Sequence, residues 1–452
     1  MQDLRGNPVS TGSNAAIDAA ERALWRLMTF YGTPLDDLDA AIAADPGWVL
    51  PPLMKAGFLL GLSEARFSRE GSAVLEAAEP LLASANPRER AHHHALRTLQ
   101  AGDWHGACRE WEALLLAHPR DGLALQWAHL HDFYRGDALN LRQRIVRVLP
   151  EWHEADPLHP HVLAMLAFGL EESNLYREAE EAGRRALAAD PKAPWAVHAV
   201  AHVMEMQGRH QEGTQWMERW RPEWSAGNGF SVHLGWHQAL FALERLDVDT
   251  VLALVDEHMA AAKTSVALEW VDTASLLWRL HLLQVDVGTR WHELLAVWNP
   301  SPDAAGHYAF NDLHALLVLI GAGEWTRADE WLQATTARAE AADPSTNRDM
   351  ARDVGLPLMR GALDFAHGRH AAALAGMQPV RAIAHRFGGS HAQRDLIDQT
   401  LLAAATHSGD ASVGRALLNE RRFAKKTTPL TEFWAGRVAP RQRAAGERSA
   451  GV

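Results

Sequence analysis

The sequence contains little cysteine, few tyrosines and no long apolar run. Its 452 residues include a single cysteine, Cys108, which excludes an internal disulfide and a cysteine-based zinc knuckle. No apolar stretch approaches the ~20 residues that a membrane-spanning helix requires. Alternating β-branched runs are scarce, and no Asn-Gly turn separates two apolar stretches. These absences argue against a sheet protein, a disulfide scaffold and a membrane protein.

The charge balance excludes another broad class of function. The formal net charge is -12, whereas nucleic acid and anionic membranes are bound by clustered Lys and Arg. The first residues, 1–14, are polar and do not resemble a secretory signal. We therefore expect a cytoplasmic protein that binds neither nucleic acid nor membrane; nothing in the sequence specifies its oligomeric state.

Glycine and proline recur at a fixed spacing. Gly102 and Gly136 are 34 residues apart, and Gly208 follows Asn174 by the same interval. Ala and large apolar residues mark one face of the helices between them. Because a single helical hairpin cannot bury its apolar stripe alone, such units must stack. The spacing predicts an all-α fold, a tetratricopeptide-type α-solenoid.

The regularity of this spacing divides the chain. We predict an amino-terminal arm over 1–15 and a single helical-repeat domain over 16–435. The register is regular over about 88–245 and looser over 246–435, where Gly323 and Gly368 are 45 residues apart. The polar stretch 436–452 is predicted to be a disordered tail.

Histidine is abundant, with 25 residues, and two pairs of histidines occupy special places in the register. In a tetratricopeptide hairpin the first helix lines the concave groove. If Gly208 is position 15 of the repeat, then positions 2, 5, 9 and 12 are Trp195, His198, His202 and Glu205. Spacings of three and four keep these side chains on one face of a helix, the face that looks into the groove.

The next unit repeats the pair as His233 and His237, 35 residues later. Histidines at i and i+4 can offer two nitrogens to one metal, and a glutamate can add a harder ligand. One or two divalent ions, zinc, manganese or iron, could then activate a water for hydrolysis. The same imidazoles without metal could act as bases, and helix packing alone could also duplicate them. The predicted metal ligands are His198, His202, Glu205, His233 and His237.

Several long stretches resemble the tetratricopeptide repeat protein 38 family. The resemblance extends over nearly the whole chain and implies a cytoplasmic protein of divergent tetratricopeptide repeats, without an established reaction to transfer. The stretches are 8–14, 108–112, 195–206, 233–244, 310–314, 351–358, 388–395 and 429–432.

The resemblance directs attention to polar residues that repeat packing does not require. Arg352 and Arg394 could anchor a carboxylate or phosphate, and Asp312 or Asp353 could be an acid–base group. Capping and inter-helix ion pairs are the alternative role for each of them. The predicted catalytic residues are Glu205, Asp312 and Asp353, and the predicted ligand-binding residues are Trp195, Trp236, Arg352, Arg394, Asp395 and His314.

Two functions remain open at this point. The first is a binding protein that holds a peptide, a protein or a small molecule in the concave groove. The second is a metal-dependent enzyme of hydrolase type, or a small-molecule binder, with a pocket of histidine and glutamate walled by Trp195 and Trp236. A purely structural scaffold is the alternative to both, and it predicts no convergence of polar groups in the groove. Convergence of the histidines in space would favour the second function.

Overall fold

In the computed structural model, which describes residues 1–260, 263–341 and 344–438, the chain is helical and contains no β-strand. A π-helical turn, Ala351–Gly355, joins two of the helices. The helices are α1 (Asn14–Thr29), α2 (Leu35–Ala44), α3 (Leu50–Gly61), α4 (Ala65–Ala78), α5 (Pro87–Gln100), α6 (Trp104–Ala117), α7 (Gly122–Tyr134), α8 (Ala138–Val148), α9 (His159–Glu171), α10 (Tyr176–Ala189), α11 (Pro194–Met206), α12 (His210–Trp224), α13 (Ser231–Glu244), α14 (Val248–His258), α15 (Ala267–Leu282), α16 (Arg290–Trp298), α17 (Ala309–Gly321), α18 (Trp325–Ala339), α19 (Thr346–Met350), α20 (Leu356–Ala366), α21 (His370–Met377), α22 (His391–Ser408), α23 (Ala411–Ala424) and α24 (Pro429–Val438).

Consecutive helices pair into hairpins, and the hairpins stack on one another, so the protein is a tetratricopeptide-type α-solenoid. The turns inside the hairpins explain the glycine spacing. Gly102, Gly136 and Gly208 all have positive φ, as does Asn174, which takes the same place in its unit. Glycine and asparagine adopt this left-handed conformation most readily at the end of a helix.

Small side chains allow the first helices to pack closely. On α11, Ala196, Ala199 and Ala201 are fully buried. Larger side chains, including the fully buried Trp224 and Trp236, fill the wider gaps. Stacking therefore buries an apolar face that one hairpin alone would expose to water.

The concave face of the solenoid is occupied by the chain itself. Helix α22 packs against α11 and α15, both of them first helices of hairpins. Trp278 of α15 donates its indole N–H to Thr400 Oγ1 at 3.0 Å, and Arg279 donates to the Ala392 carbonyl at 2.8 Å. The open groove expected from the register is thus filled, over this part of its length, by a later helix.

Hydrogen bonds also connect hairpins that are distant in sequence. Asn311 donates to the Ser63 carbonyl at 3.0 Å, and Asn228 donates to the Thr29 carbonyl at 3.2 Å. The solenoid therefore curves until its early and late hairpins touch.

The segment before α1 is fastened to the body of the protein. Arg5 forms a bidentate pair with Glu21 at 2.6 and 2.7 Å, and Asn7 donates to the Arg120 carbonyl at 3.3 Å. At the other end, the predicted disordered tail starts at 436, but residues 436–438 complete α24, and 439–452 lie outside the described residues. None of the described helices combines the length and the apolarity that a membrane crossing needs.

The lone cysteine is a packing residue. Cys108 is buried in α6, and this burial raises the pKa of its thiol to about 12. A thiol that stays protonated is a poor nucleophile and a poor metal ligand.

A candidate metal centre beside a cavity

Two neighbouring first helices bring the four predicted histidines together. His198 and His202 lie one turn apart on α11, and His233 and His237 lie one turn apart on α13. Three of the rings are essentially inaccessible to solvent, and the fourth, His233, exposes 15% of its side chain. One ring nitrogen of each lies within 4.8 Å of one ring nitrogen of every other.

The shortest separations join nitrogen to nitrogen. His198 Nε2 lies 2.8 Å from His202 Nε2 and 3.0 Å from His233 Nε2. A ring nitrogen has either one proton or one lone pair, so His198 Nε2 cannot make a good hydrogen bond to both neighbours. Two nitrogens bound at right angles to one ion, with bonds of ~2.1 Å, would lie about 3.0 Å apart. The separations therefore suit a shared cation better than a set of hydrogen bonds.

Carboxylates lie behind three of the four rings. Each of the three rings turns Nδ1 to a carboxylate, which leaves Nε2 as the nitrogen that can face the centre. Ligating histidines in metal proteins commonly have such a partner, which fixes the tautomer and the ring orientation. The pairs are His202 with Glu171 at 3.4 Å, His233 with Asp272 at 2.8 Å and His237 with Glu205 at 3.3 Å.

Burial keeps the rings of His198, His202 and His237 uncharged. Desolvation lowers the pKa of His202 to about 3, and it lowers the pKa of both His198 and His237 well below the usual range. Neighbouring imidazoles lower the pKa of His198 and His237 further. Neutral rings present the lone pairs that metal coordination requires.

Aromatic side chains enclose the four histidines. Trp195 approaches His198 with ring centroids 5.4 Å apart, and Trp236 stacks on His233 at 5.3 Å. Phe168 and Phe230 close two further sides. These walls exclude water, which strengthens electrostatic interactions inside the site.

A cavity of about 740 Å³ lies next to this centre. Glu205 lines the cavity and also contacts His237 Nδ1, so it stands between the two. Burial raises the pKa of Glu205 to about 8, although Lys425 opposes the effect. The other charged side chains that line the cavity are Asp132, Asp137, Glu172, Arg381, Arg394, Asp395, Asp398, Glu420, Arg421 and Lys425.

Two of the predicted ligand-binding residues lie in this cavity. Arg394 contacts Glu172 at 3.2 Å and donates to the Gly389 carbonyl. Asp395 accepts from Gln399 at 2.7 Å and pairs with Arg421. Together with the aromatic walls formed by Trp195 and Trp236, they belong to the same region as the histidines.

The remaining predicted residues lie elsewhere. Arg352 and Asp353 pair with each other on the surface, and neither lines the cavity. The His314 ring contacts the Phe310 carbonyl through Nδ1 at 2.8 Å, within its own helix. Asp312 lines a second cavity of about 360 Å³, between α17 and the loop after α3. None of the four contacts the histidine cluster in the part of the chain that is described.

Sequence reasoning missed several members of the site. Glu171 ends α9 and Glu172 follows it, Asp272 lies on α15, and His391 begins α22. One feature of the sequence could have indicated them: charged residues within strongly apolar first helices, such as Asp272 in α15. A charged residue that is buried there needs a polar partner.

Asp312 gives a prediction about pH and stability. Burial raises the pKa of Asp312 to about 7. Between about pH 4 and pH 7 the unfolded chain loses this proton while the folded chain keeps it, so stability falls as pH rises and levels off above. Asp312→Asn should therefore exceed wild type in free energy of unfolding by up to about 4 kcal/mol at pH 8, and by little at pH 4. Urea unfolding at pH 4 and pH 8 measures the difference in free energy of unfolding. Asp303→Asn, at the exposed edge of the same cavity, is the control. A difference between Asp312→Asn and wild type that does not change with pH would contradict the prediction.

No family model matches the chain. Among solved structures it is similar to the Cut9–Hcn1 hetero-tetramer of the APC/C, with 9% identity over 94% of this chain and 75% of that chain, at a TM-score of 0.43. It is similar to a human IFIT1 dimer with PPP-AAAA, with 11% identity over 91% and 89% of the two chains and a TM-score of 0.41. Yeast Tom70 shows 11% identity over 94% and 87%, with a TM-score of 0.34. What those proteins bind is no guide to the ligand of this one.

Proposed function

We propose that this chain is a divalent-metal protein that uses its centre to bind or convert a small molecule in the adjoining cavity. One observation carries the proposal: four buried imidazoles converge, and three of them turn Nδ1 to a carboxylate. Packing alone gives no reason to bury four adjacent rings whose nitrogens lack enough hydrogen-bond partners. The ligands are His198, His202, His233 and His237.

The ligand set narrows the choice of metal. Imidazole suits zinc and iron, whereas manganese prefers carboxylate and water oxygens. Glu205 contacts His237 rather than belonging to the group of mutually close ligand atoms, so we assign it to the outer shell. Zinc or iron is therefore the expected ion.

The reaction class that fits is hydrolysis. A divalent ion held by neutral imidazoles can polarise a carbonyl or lower the pKa of a bound water. Glu205 lines the cavity and contacts His237 on the Nδ1 side of its ring. In this proposal Glu205 is the acid–base group, and Arg394, which lines the cavity, anchors an anionic part of the ligand.

Binding of a peptide in the concave groove is less well supported. Helix α22 already packs against α11 and α15, so a peptide there would have to displace part of the chain.

We further propose membership of the tetratricopeptide repeat protein 38 family. Two of the stretches that resemble it, 195–206 and 233–244, contain all four histidines and Glu205. A family member without these histidines would show that the centre is not a shared feature.

Metal analysis tests the proposal. Wild-type protein without an affinity tag, stripped with a chelator and reloaded with Zn²⁺, should retain at least one equivalent per chain after dialysis. His198→Ala removes the ring that contacts two others, and should weaken Zn²⁺ binding at least 10-fold, since even outer-shell changes cost about 10–100-fold. Titration with a competing zinc chelator measures the affinity.

His94→Ala is the matched control, because His94 is an exposed histidine on α5, distant in sequence from the centre. It should leave the affinity for Zn²⁺ unchanged. Wild-type protein that retains no metal, or a His198→Ala protein that folds and binds Zn²⁺ as wild type does, would refute the metal centre.

A further inference from the structure

A second group of polar atoms lies on the far side of the His202 ring. His202 turns Nε2 to the other histidines and Nδ1 to Glu171 Oε2, which lies 3.4 Å away. Glu172 follows directly, and one ligand atom each of Glu171, Glu172 and His202 lies within 4.8 Å of the others. His391 Nδ1 approaches Glu171 Oε1 at 3.6 Å and Glu172 Oε1 at 3.5 Å.

Hydrogen bonds do not account for Glu171 and the two imidazole rings of this group. Glu171 is fully buried, and neither of its carboxylate oxygens has a hydrogen-bond partner among the described residues. His202 Nδ1 and His391 Nδ1 are likewise buried without one. Separations of 3.4–3.6 Å exceed the normal N–H···O range, yet they approach the spacing of about 3.4 Å between ligands at tetrahedral angles around an ion with bonds of ~2.1 Å. A buried carboxylate without a partner is costly, and a bound cation would remove that cost.

The surroundings hold Glu172 in place. The backbone N–H of His391 donates to Glu172 Oε1 at 2.9 Å, and Arg394 contacts Glu172 Oε2 at 3.2 Å. Both donors come from the first turn of α22, the helix that fills the concave face. The group is therefore completed by the fold of the whole chain rather than by one hairpin.

We propose that a second divalent cation binds between Glu171, Glu172 and His202, beside His391, and that His202 bridges the two cations. Nε2 of His202 binds the first cation, and Nδ1 binds the second. As the second N–metal bond forms, the Nδ1–H bond breaks and its proton leaves to solvent, so the ring becomes an imidazolate. With bonds of ~2.1 Å at each nitrogen, the cations lie about 6 Å apart. This inference rests on the proposed function, because the bridge needs the first centre.

Copper provides a spectroscopic test of the bridge. The tag-free, metal-stripped full chain is loaded with Cu²⁺ alone, and its copper content and EPR intensity are measured. We expect two coppers per chain and an EPR intensity well below that of two independent spins, because an imidazolate couples them. Glu171→Gln should bind one copper and give the full intensity of that copper.

Glu181→Gln, an exposed change on α10, is the matched control and should keep two coupled coppers. Glutamine matches the shape of Glu171, and this glutamate has no hydrogen bond to lose, so the variant should fold, as circular dichroism will show. If it does not fold, Glu171→Met, which keeps the length of the side chain and removes both oxygens, gives the same readout.

The outcomes separate the two proposals. One copper per chain that is lost in His198→Ala and unaffected by Glu171→Gln would overturn the second site and leave the first. Two coppers with the full intensity of two spins would overturn the bridge. Wild-type protein that binds no metal would overturn both.

Discussion

Replacing Glu244 with alanine is expected to lower the free energy of unfolding by about 3–5 kcal/mol, the cost of leaving a buried ion pair without one partner. Glu244 ends α13, where Arg421 and Lys425 donate to its Oε1 at 2.8 and 2.7 Å, and Thr428 donates to its Oε2. All three charged side chains are at most 7% exposed. The variant would leave Lys425 facing an apolar side chain, and Arg421 would keep only its pair with Asp395. Urea unfolding at neutral pH measures the loss.

A second ion pair in the same region provides the control. Arg422 and Glu432 are separated by 3.1 Å, and their side chains are 42% and 59% exposed. Solvent-exposed pairs contribute about 0–1 kcal/mol, so Glu432→Ala should unfold close to wild type. Equal losses in both variants would show that the contact between α13 and the carboxyl-terminal helices does not stabilise the protein.

Gly388→Ala is expected to destabilise the protein by about 3–6 kcal/mol, the sum of backbone strain and steric overlap. Gly388 has φ +88° and ψ -164°, a conformation essentially restricted to glycine. A Cβ there would lie 2.1 Å from Tyr308 Oη and 2.5 Å from the Tyr134 carbonyl oxygen. Because this residue leads into α22, the change should also displace His391 from Glu172. Calorimetry gives the stability.

Gly409→Ala isolates the backbone contribution. Gly409 also has positive φ, +78°, but no atom in the described part of the chain lies within 4 Å of its ideal Cβ position. Only the left-handed conformation is then penalised, by about 1–2 kcal/mol. If Gly388→Ala lowers the stability no more than Gly409→Ala does, then the close approach of Gly388 to Tyr308 and Tyr134 does not restrict which residue can occupy position 388.

The histidine pairs could be placed from sequence because their position depends on one helix period and one repeat length. The i, i+4 spacing gives the face of each helix, and the 35-residue interval gives neighbouring helices. Both are local quantities. Glu205 was close to its expected place for the same reason, although it contacts His237 instead of joining the mutually close ligand atoms.

The carboxylates behind the rings could not be placed in this way. Glu171 is on α9 and Asp272 is on α15, one hairpin to each side of the histidines. His391 comes from α22, which reaches the site only because the solenoid curves onto its own concave face. A repeat register describes contacts between neighbours, so it contains no information about such a return. Arg352 and Asp353 show the opposite error. Their stretch, 351–358, resembles the family and drew attention to them, yet the two side chains pair with each other on the surface.

The hydrogen bonds between early and late hairpins have a consequence for unfolding. An open solenoid loses its terminal repeats first, because each repeat depends only on its neighbours. Here Asn311 is tied to Ser63, and Thr428 is tied to Glu244, across 248 and 184 residues of chain. Opening one hairpin breaks contacts in another that is far along the sequence. The chain should therefore melt in one cooperative transition. Repeats could not be added or deleted without breaking these hydrogen bonds.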